Sequence, residues 1–259
     1  MSDIFSNSVL QSFIFSPLMG VLFGALFAGL SAKPTGAAPR TIIETRTVYI
    51  ERRTRQKKSQ SDGGEIYGFA ILLFFVAWKY LQFAPTVLYY VELALVSMLS
   101  FGLACFTVST IKAHYIDTNW ALRVVVPTVI LGLCLLILAK AKRVITPDLV
   151  ELAGKSNVIE FFMELTQYGR FFSVFHIVGL CLLIFIAIIG TLSLLHYLAL
   201  MNLRSDSPIS GVWSFITRVT FRFSSRGVYV LSLILLGVSA FIVDGTIAQW
   251  ITPAKATGN

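Results

Sequence analysis

Apolar residues are gathered into six long blocks along the chain, and polar or charged segments separate these blocks. The blocks run over about 9–31, 66–83, 86–111, 121–140, 171–203 and 227–250. Each carries almost no charge and is 18 residues or longer, which suits a helix that crosses the hydrocarbon core of a bilayer with about 20 residues. The pattern therefore predicts an all-α polytopic membrane protein with about six transmembrane helices.

Two of these blocks lie so close together that the chain must turn sharply between them. Only Ala84 and Pro85 separate the second block from the third. A merged helix of roughly 45 residues would be far too long for one crossing, so we predict a tight hairpin broken at the proline. The fifth block also exceeds a simple crossing and is expected to tilt or to project into the cytoplasm.

The polar segments divide the chain into three parts. Residues 1–32 form an N-terminal transmembrane helix, 33–65 a basic cytoplasmic loop, and 66–259 a five-span transmembrane domain. Within the loop, 41–53 is rich in β-branched residues and predicts a short strand-like segment, which a flexible Gly-, Ser- and Gln-rich linker follows. Since the chain offers no second strand-like run, this segment must pair with another subunit or another protein, or stay extended.

Two further connecting segments have the pattern of short amphipathic helices at the membrane interface. Asn157 followed by Glu160 matches a capping box within a segment at about 147–168. Over about 212–226, a basic face lies beside an apolar one at about 100° per residue, which predicts a basic amphipathic helix on the cytoplasmic membrane surface. The apolar face consists of Val212, Ile216, Val219 and Phe223, and the basic face of Arg218, Arg222 and Arg226.

Composition supports a membrane protein, and the distribution of charge gives its orientation. Apolar residues make up 56% and charged residues 13%, whereas soluble proteins carry about a quarter charged residues. In a six-span arrangement, 13 basic residues fall on the side of the 33–65 loop and 6 on the other side. The positive-inside rule then makes this loop cytoplasmic and both termini external, in the cell inner membrane. Lys140, Lys142 and Arg143 are the exception: either they snorkel, or one block does not cross.

Basic residues just inside the membrane suit contact with anionic lipid, which attracts each of them by about 1 kcal/mol. Membrane topology alone also accounts for these basic residues, and a cytosolic protein partner is the further alternative. Direct nucleic-acid binding is not expected, because no aromatic residues are interleaved for base stacking. The residues assigned to lipid or partner contact are Arg52, Arg53, Arg55, Lys57, Lys58, Arg218, Arg222 and Arg226.

Small residues line one face of the first block, where Gly20, Gly24 and Ala28 recur at every fourth position. Such a face lets another helix backbone approach closely, and this is how helices associate within a bilayer. The face can pack against the protein's own spans or against a neighbouring subunit. The long polar loop after this block favours the neighbouring subunit, and we therefore predict a homo-oligomer.

Ionisable residues within the apolar blocks are costly in hydrocarbon and therefore informative. Counting from the Ala84–Pro85 turn puts Lys79 and Glu92 at similar depth on adjacent helices, which predicts an ion pair. Glu92, Asp244 and His176 also fall at comparable levels. They are candidates for a cation or proton path, for which carboxylates and an imidazole are suitable.

The sequence contains none of the familiar catalytic or nucleotide-binding motifs, so we expect no enzyme and no cofactor. His176 and His196 lie 20 residues apart on one predicted helix, about 30 Å, and cannot hold one metal ion or haem together within a monomer. The three cysteines lie within apolar blocks as packing residues: Cys105, Cys134 and Cys181.

These features favour a homo-oligomeric inner-membrane scaffold or pore-type protein that is coupled to a cytosolic partner. Membrane-embedded partners in bacterial stress and phage-defence modules share this general outline. The competing class is a transporter or ion-coupled carrier subunit that uses the intramembrane carboxylates. A carrier usually contains an internal repeat of spans, and none is visible in this sequence. A membrane enzyme is a third class, for which no site can be named.

Overall fold

The described part of the chain is helical throughout, apart from short turns. A computed structural model describes residues 24, 28, 64–111, 118–204 and 210–252. Its helices are α1 (Gly64–Gln82), α2 (Ala84–Ile111), α3 (Thr118–Val144), α4 (Pro147–Lys155), α5 (Val158–Glu164), α6 (Gln167–Arg204), α7 (Ser210–Thr220), α8 (Arg226–Val243) and α9 (Thr246–Ile251), with a 3₁₀ turn at Phe221–Ser224. The strand-like segment predicted at 41–53 and its linker lie outside the described residues.

Four of the described helices are long and apolar enough to cross a bilayer, which indicates a membrane-embedded protein. These are α2, α3, α6 and α8, and they correspond to the third, fourth, fifth and sixth apolar blocks. The 38 residues of α6 give a length of about 57 Å, well beyond the hydrocarbon core of about 30 Å.

Helix α6 is the centre of a bundle that α2, α3, α7 and α8 surround. The core is made of aliphatic side chains such as Leu131, Leu183 and Leu194, which are fully buried. Hydrogen bonds between helices add specific contacts: the hydroxyls of Ser109 and Tyr197 are 2.7 Å apart, and Ser239 Oγ donates to a carbonyl of α6. Without a hydrophobic driving force between helices in lipid, close packing and such bonds hold the bundle together.

The predicted hairpin between the second and third blocks does not form. The helix breaks at Phe83, but helix-type hydrogen bonds continue on both sides of this residue. The Phe83 N–H donates to the Lys79 and Tyr80 carbonyls, and the Val87 N–H donates to the Phe83 carbonyl. Beyond this turn α1 and α2 hardly contact each other. Pro85 is the second residue of α2, where its missing N–H costs no helical bond. The proline therefore starts a helix without reversing the chain.

Helix α1 packs on α4, α5 and α6 instead. Towards its N-terminus the contacts move outward: Tyr80 stacks on His176 of α6, the Trp78 indole donates to a carbonyl of α4, and the Phe74 ring meets Phe162 of α5. Helices α4 and α5 connect the end of α3 to the start of α6, and so they lie at one end of the bundle. The N-terminal part of α1, which contacts them, therefore leads away from the bundle. We call α1, α4 and α5 the cap.

The segment at about 147–168, where short helices were predicted, contains the two cap helices α4 and α5. The capping box is confirmed, since the Asn157 N–H donates to Glu160 Oε2 at 3.2 Å at the start of α5. On α4, Glu151 pairs with Lys155. The hydrogen bond and charge of Lys155 lower the pKa of Glu151 below its ordinary value, so this carboxylate stays ionised on an exposed helix face.

The helix predicted over 212–226 is divided, which corrects its predicted faces. Helix α7 ends at Thr220, the 3₁₀ turn follows, and α8 begins at Arg226. Trp213 and Thr220 are the buried residues of α7, and Thr220 Oγ1 lies 3.1 Å from His196 Nδ1 of α6. Val212 and Val219, which were assigned to the apolar face on the membrane surface, are half exposed, so the buried face of α7 is the one that carries Trp213 and Thr220. Contact with α6, and not lipid alone, selects the inner face.

Candidate functional site

Several charged residues of the apolar blocks gather at the end of the bundle that carries the cap, whereas Arg123 lies near the opposite end of α3. Glu92 of α2 pairs with Lys142 of α3, and Asp244 pairs with Lys140, with 3.6 Å between Lys140 Nζ and Asp244 Oδ2. We call these four residues the ion-pair cluster. Helix α3 ends at Val144 and α8 at Val243, so the cluster lies where two spans terminate. Each lysine of the cluster thus has a carboxylate partner from a neighbouring helix or its end.

The predicted Lys79–Glu92 ion pair is wrong, because Glu92 has Lys142 as its partner. The Lys79 ammonium instead donates to Gln82 Oε1 at 2.9 Å and lies 4.3 Å from the ring centroid of Trp78. The prediction assumed that α1 returns alongside α2. Since α1 joins the cap, equal distances from the turn do not bring these two side chains together.

Asp244 is held from both sides at the turn between α8 and α9. Its Oδ1 accepts a hydrogen bond from Thr246 Oγ1 at 3.0 Å, while its other oxygen faces Lys140. The chain can turn here because Gly245 adopts a φ of +82°, in the left-handed region that favours glycine. A β-carbon at Gly245 would also lie 2.7 Å from Tyr168 Oη. The position of this carboxylate is therefore fixed by the glycine turn.

His176 is fully buried beside the cluster, on α6. Its Nδ1 lies 3.0 Å from the Val243 carbonyl oxygen, so Nδ1 carries the proton and Nε2 keeps a lone pair. Neither Nε2 nor the nearby Tyr80 hydroxyl has a hydrogen-bond partner among the described residues. Their rings stack with centroids 5.9 Å apart.

The three residues proposed for an ion path are therefore divided between separate contacts. Glu92 engages α3, Asp244 engages Lys140 and Thr246, and His176 engages the backbone at the end of α8. Among the described residues, no contact joins the three side chains to one another. This part of the chain also contains no group of three metal-ligating side chains that could hold an ion.

An apolar groove of about 190 Å³ runs between α3 and α8 and ends at the ion-pair cluster. Its lining residues are Leu133, Leu136, Ile137, Lys140, Leu236, Gly237 and Ala240. Gly237 forms part of this surface, and a β-carbon at this position would meet nothing within 4 Å. Sequence reasoning missed both the groove and the Lys140–Asp244 pair. The only available signal was that Lys140 ends its apolar block and Asp244 lies in the last third of its own, both on the same predicted side of the membrane.

The remaining predicted contact residues are distributed as follows. Gly24 and Ala28 are helical and exposed, with open space around the position of a Gly24 β-carbon. Arg218, Arg222 and Arg226 are exposed around the turn from α7 to α8. The predicted sites that lie outside the described residues are Gly20, Arg52, Arg53, Arg55, Lys57 and Lys58.

Comparison with other proteins adds no family assignment. No family model, curated protein or solved structure matches the chain. The function must therefore be argued from the residues and contacts given above.

Proposed function

We propose that this protein is a homo-oligomeric scaffold or pore-type protein of the cell inner membrane, coupled to a cytosolic partner. The observation that carries this choice is that Glu92 and Asp244 are both ion-paired at the end of the bundle. In secondary carriers the substrate and coupling-ion sites lie near the bilayer midplane, whereas these two carboxylates lie where spans end. The core of the described bundle is mainly aliphatic, with scattered buried polar side chains, so a pore would have to form between subunits.

Self-association is supported by the first apolar block. Gly24 and Ala28 lie four residues apart on one helix face, and both are exposed. The flat surface that small residues create allows a second helix to gain dispersion contacts that lipid tails fill poorly. This face is the proposed contact between copies, and the strand-like segment at 41–53 adds pairing between neighbours.

Coupling to the cytosol is supported by the cap and the basic loop that precedes it. Residues 33–65 lead directly into α1, and the positive-inside rule favours the cytoplasm for this loop. The cap presents Ile159 and Met163, one turn apart on α5 and about 70% exposed. An apolar pair on the cap, together with the dense basic run in the sequence that precedes α1, suits a protein partner with an acidic surface, and a stress or phage-defence module is the proposed setting.

Assembly is tested by widening the small-residue face. Replacing both Gly20 and Gly24 with leucine should push the helices apart and reduce the oligomer to smaller species. Native mass spectrometry of the purified protein in detergent reports the subunit number. Gly68→Leu is the matched control, because Gly68 is an exposed helical glycine with open space around it. If a deletion of residues 1–53 leaves the oligomer unchanged, the interface lies elsewhere.

An ion-coupled transporter subunit is the second candidate, and one observation favours it. His176 Nε2 and the Tyr80 hydroxyl are buried side by side without hydrogen-bond partners among the described residues. A buried imidazole with a free lone pair is suited to accept a proton. Saturable proton uptake into proteoliposomes that His176→Leu abolishes would favour the carrier. Absence of such uptake favours the scaffold.

A further inference from the structure

The groove between α3 and α8 has the features of a phospholipid site, with an apolar trough and a charged end. Six of its seven lining residues are apolar, and the seventh is Lys140. Leu136 on its wall is 65% exposed, so the trough faces the surrounding bilayer. An acyl chain is the apolar component that such a surface meets there.

The charged end contains both signs. Lys140 and Asp244 are separated by 3.6 Å, and their side chains are 62% and 35% exposed. This distance exceeds the 2.7–2.9 Å or so of a charge-assisted hydrogen bond, so both groups keep unused hydrogen-bonding capacity. Lys140 lies at the groove end, and Asp244 follows Ala240 of the groove by four residues, about one helical turn.

We propose that this groove binds a zwitterionic phospholipid whose headgroup carries a primary ammonium. The acyl chain lies between α3 and α8, the Lys140 ammonium pairs with the phosphate, and the Asp244 carboxylate accepts hydrogen bonds from the headgroup ammonium. A choline headgroup has no N–H to donate, and a glycerol headgroup has no positive charge for Asp244. The opposite charges of Lys140 and Asp244 therefore determine which headgroup binds, while the apolar groove accepts an acyl chain of any phospholipid.

The trough itself is kept open by Gly237. A β-carbon there meets no atom within 4 Å, so the first atom of a larger side chain fits, and we expect the rest of a leucine side chain to occupy the groove. Gly132 of α3 offers the matched control: its β-carbon position is equally open, but Gly132 does not line the groove. Leucine at either position adds the same apolar volume to a membrane helix, and only one of them occupies the trough.

The test uses the full-length protein, purified in mild detergent and stripped of lipid. Native mass spectrometry measures the binding of phosphatidylethanolamine, phosphatidylcholine and phosphatidylglycerol with identical acyl chains. We expect phosphatidylethanolamine to bind about tenfold more tightly than phosphatidylcholine, since one charge-assisted hydrogen bond is worth about that factor. Asp244→Asn should abolish this preference. Lys140→Met should weaken the binding of all three lipids, because each of them carries the phosphate that pairs with the Lys140 ammonium.

Gly237→Leu should reduce binding of all three lipids several-fold, whereas Gly132→Leu should leave it unchanged. Circular dichroism and the thermal midpoint of each variant separate loss of binding from loss of fold. A headgroup preference that survives Asp244→Asn would overturn the proposal. So would a Gly237→Leu variant that binds lipid like the wild type. If Gly237→Leu changes the subunit number and not lipid binding, the groove holds a helix of this protein and the lipid site is wrong.

Discussion

At the scale of single residues, the helical glycines have two different roles. Gly179 allows α6 and α8 to approach: a β-carbon there would lie 2.5 Å from a methyl carbon of Val243. Gly237 on α8 faces open space. The first is required by packing between backbones, and the second leaves room in the groove. Sequence spacing alone does not separate them, because both lie within long apolar runs.

Alanine substitution should therefore act in opposite directions at these two glycines. Gly179→Ala should lower the free energy of unfolding by about 1–3 kcal/mol, the usual cost of overpacking. Gly237→Ala should stabilise α8 by up to about 1 kcal/mol through helix propensity. Thermal unfolding in detergent, followed by circular dichroism, measures both. Equal shifts of the two midpoints would contradict the close approach at Gly179.

At the scale of elements, hydrophobic blocks and capping signals were predictable, whereas partners between helices were not. Helices α2, α3, α6 and α8 could be predicted from the length and apolar character of their sequence blocks alone. The capping box at Asn157 likewise depends on residues three positions apart. The partner of Glu92, however, is Lys142, 50 residues away. It depends on which helices pack together, and the sequence contains no local signal for that choice.

The division of the predicted 212–226 helix has a physical reason of the same kind. Ser225 sits in an extended conformation as the N-cap of α8, and serine is a favoured residue there. A helical wheel drawn through Ser225 assumes one continuous helix, although Arg218 belongs to α7, Arg222 to the 3₁₀ turn and Arg226 to α8. The three arginines therefore do not share one helix face.

The Glu92–Lys142 pair can be measured with a double-mutant cycle. Glu92→Gln and Lys142→Met should each destabilise the protein, and the double variant should lose less than their sum. Both side chains are partly exposed, so we expect a coupling of about 0.5–1 kcal/mol. Thermal or denaturant unfolding in detergent gives the free energies of unfolding.

Lys79→Met combined with Glu92→Gln is the control, and the effects of these two substitutions should be additive, because Lys79 contacts Gln82 and Trp78. Coupling with Lys79, and none with Lys142, would restore the original pairing.

At the scale of the whole molecule, the direction of α1 bears on how the chain is threaded through the membrane. Contacts of α1 lead outward to α4 and α5, so we infer that α1 lies along the membrane surface and does not cross. In this threading the first apolar block and helices α2, α3, α6 and α8 cross the membrane. The basic loop at 33–65 and the cap then lie on the same side of the membrane. Leaving out Lys79 and Arg123 in both counts, the basic residues then divide 14 to 5, compared with 13 to 6 for six spans.

This threading also removes the exception that the sequence presented. Lys140, Lys142 and Arg143 move to the same side as residues 33–65, where the positive-inside rule expects them. Arg218, Arg222 and Arg226 then face the headgroups of the opposite leaflet. The orientation of the loop is unchanged, but the C-terminal end of α9 changes sides.

Cysteine labelling distinguishes the two threadings. In a variant without Cys105, Cys134 and Cys181, single cysteines replace Gln60 in the loop and Gly154 in the cap. Gly154 is exposed, with open space around its β-carbon position, so the substitution should not disturb α4. If α1 does not cross, both cysteines should resist a membrane-impermeant maleimide in intact cells and react after lysis. If α1 crosses, the cysteine at 154 reacts in intact cells while the one at 60 does not. Reaction of both in intact cells would invert the orientation itself, because it would put the most basic segment of the chain outside, against the positive-inside rule.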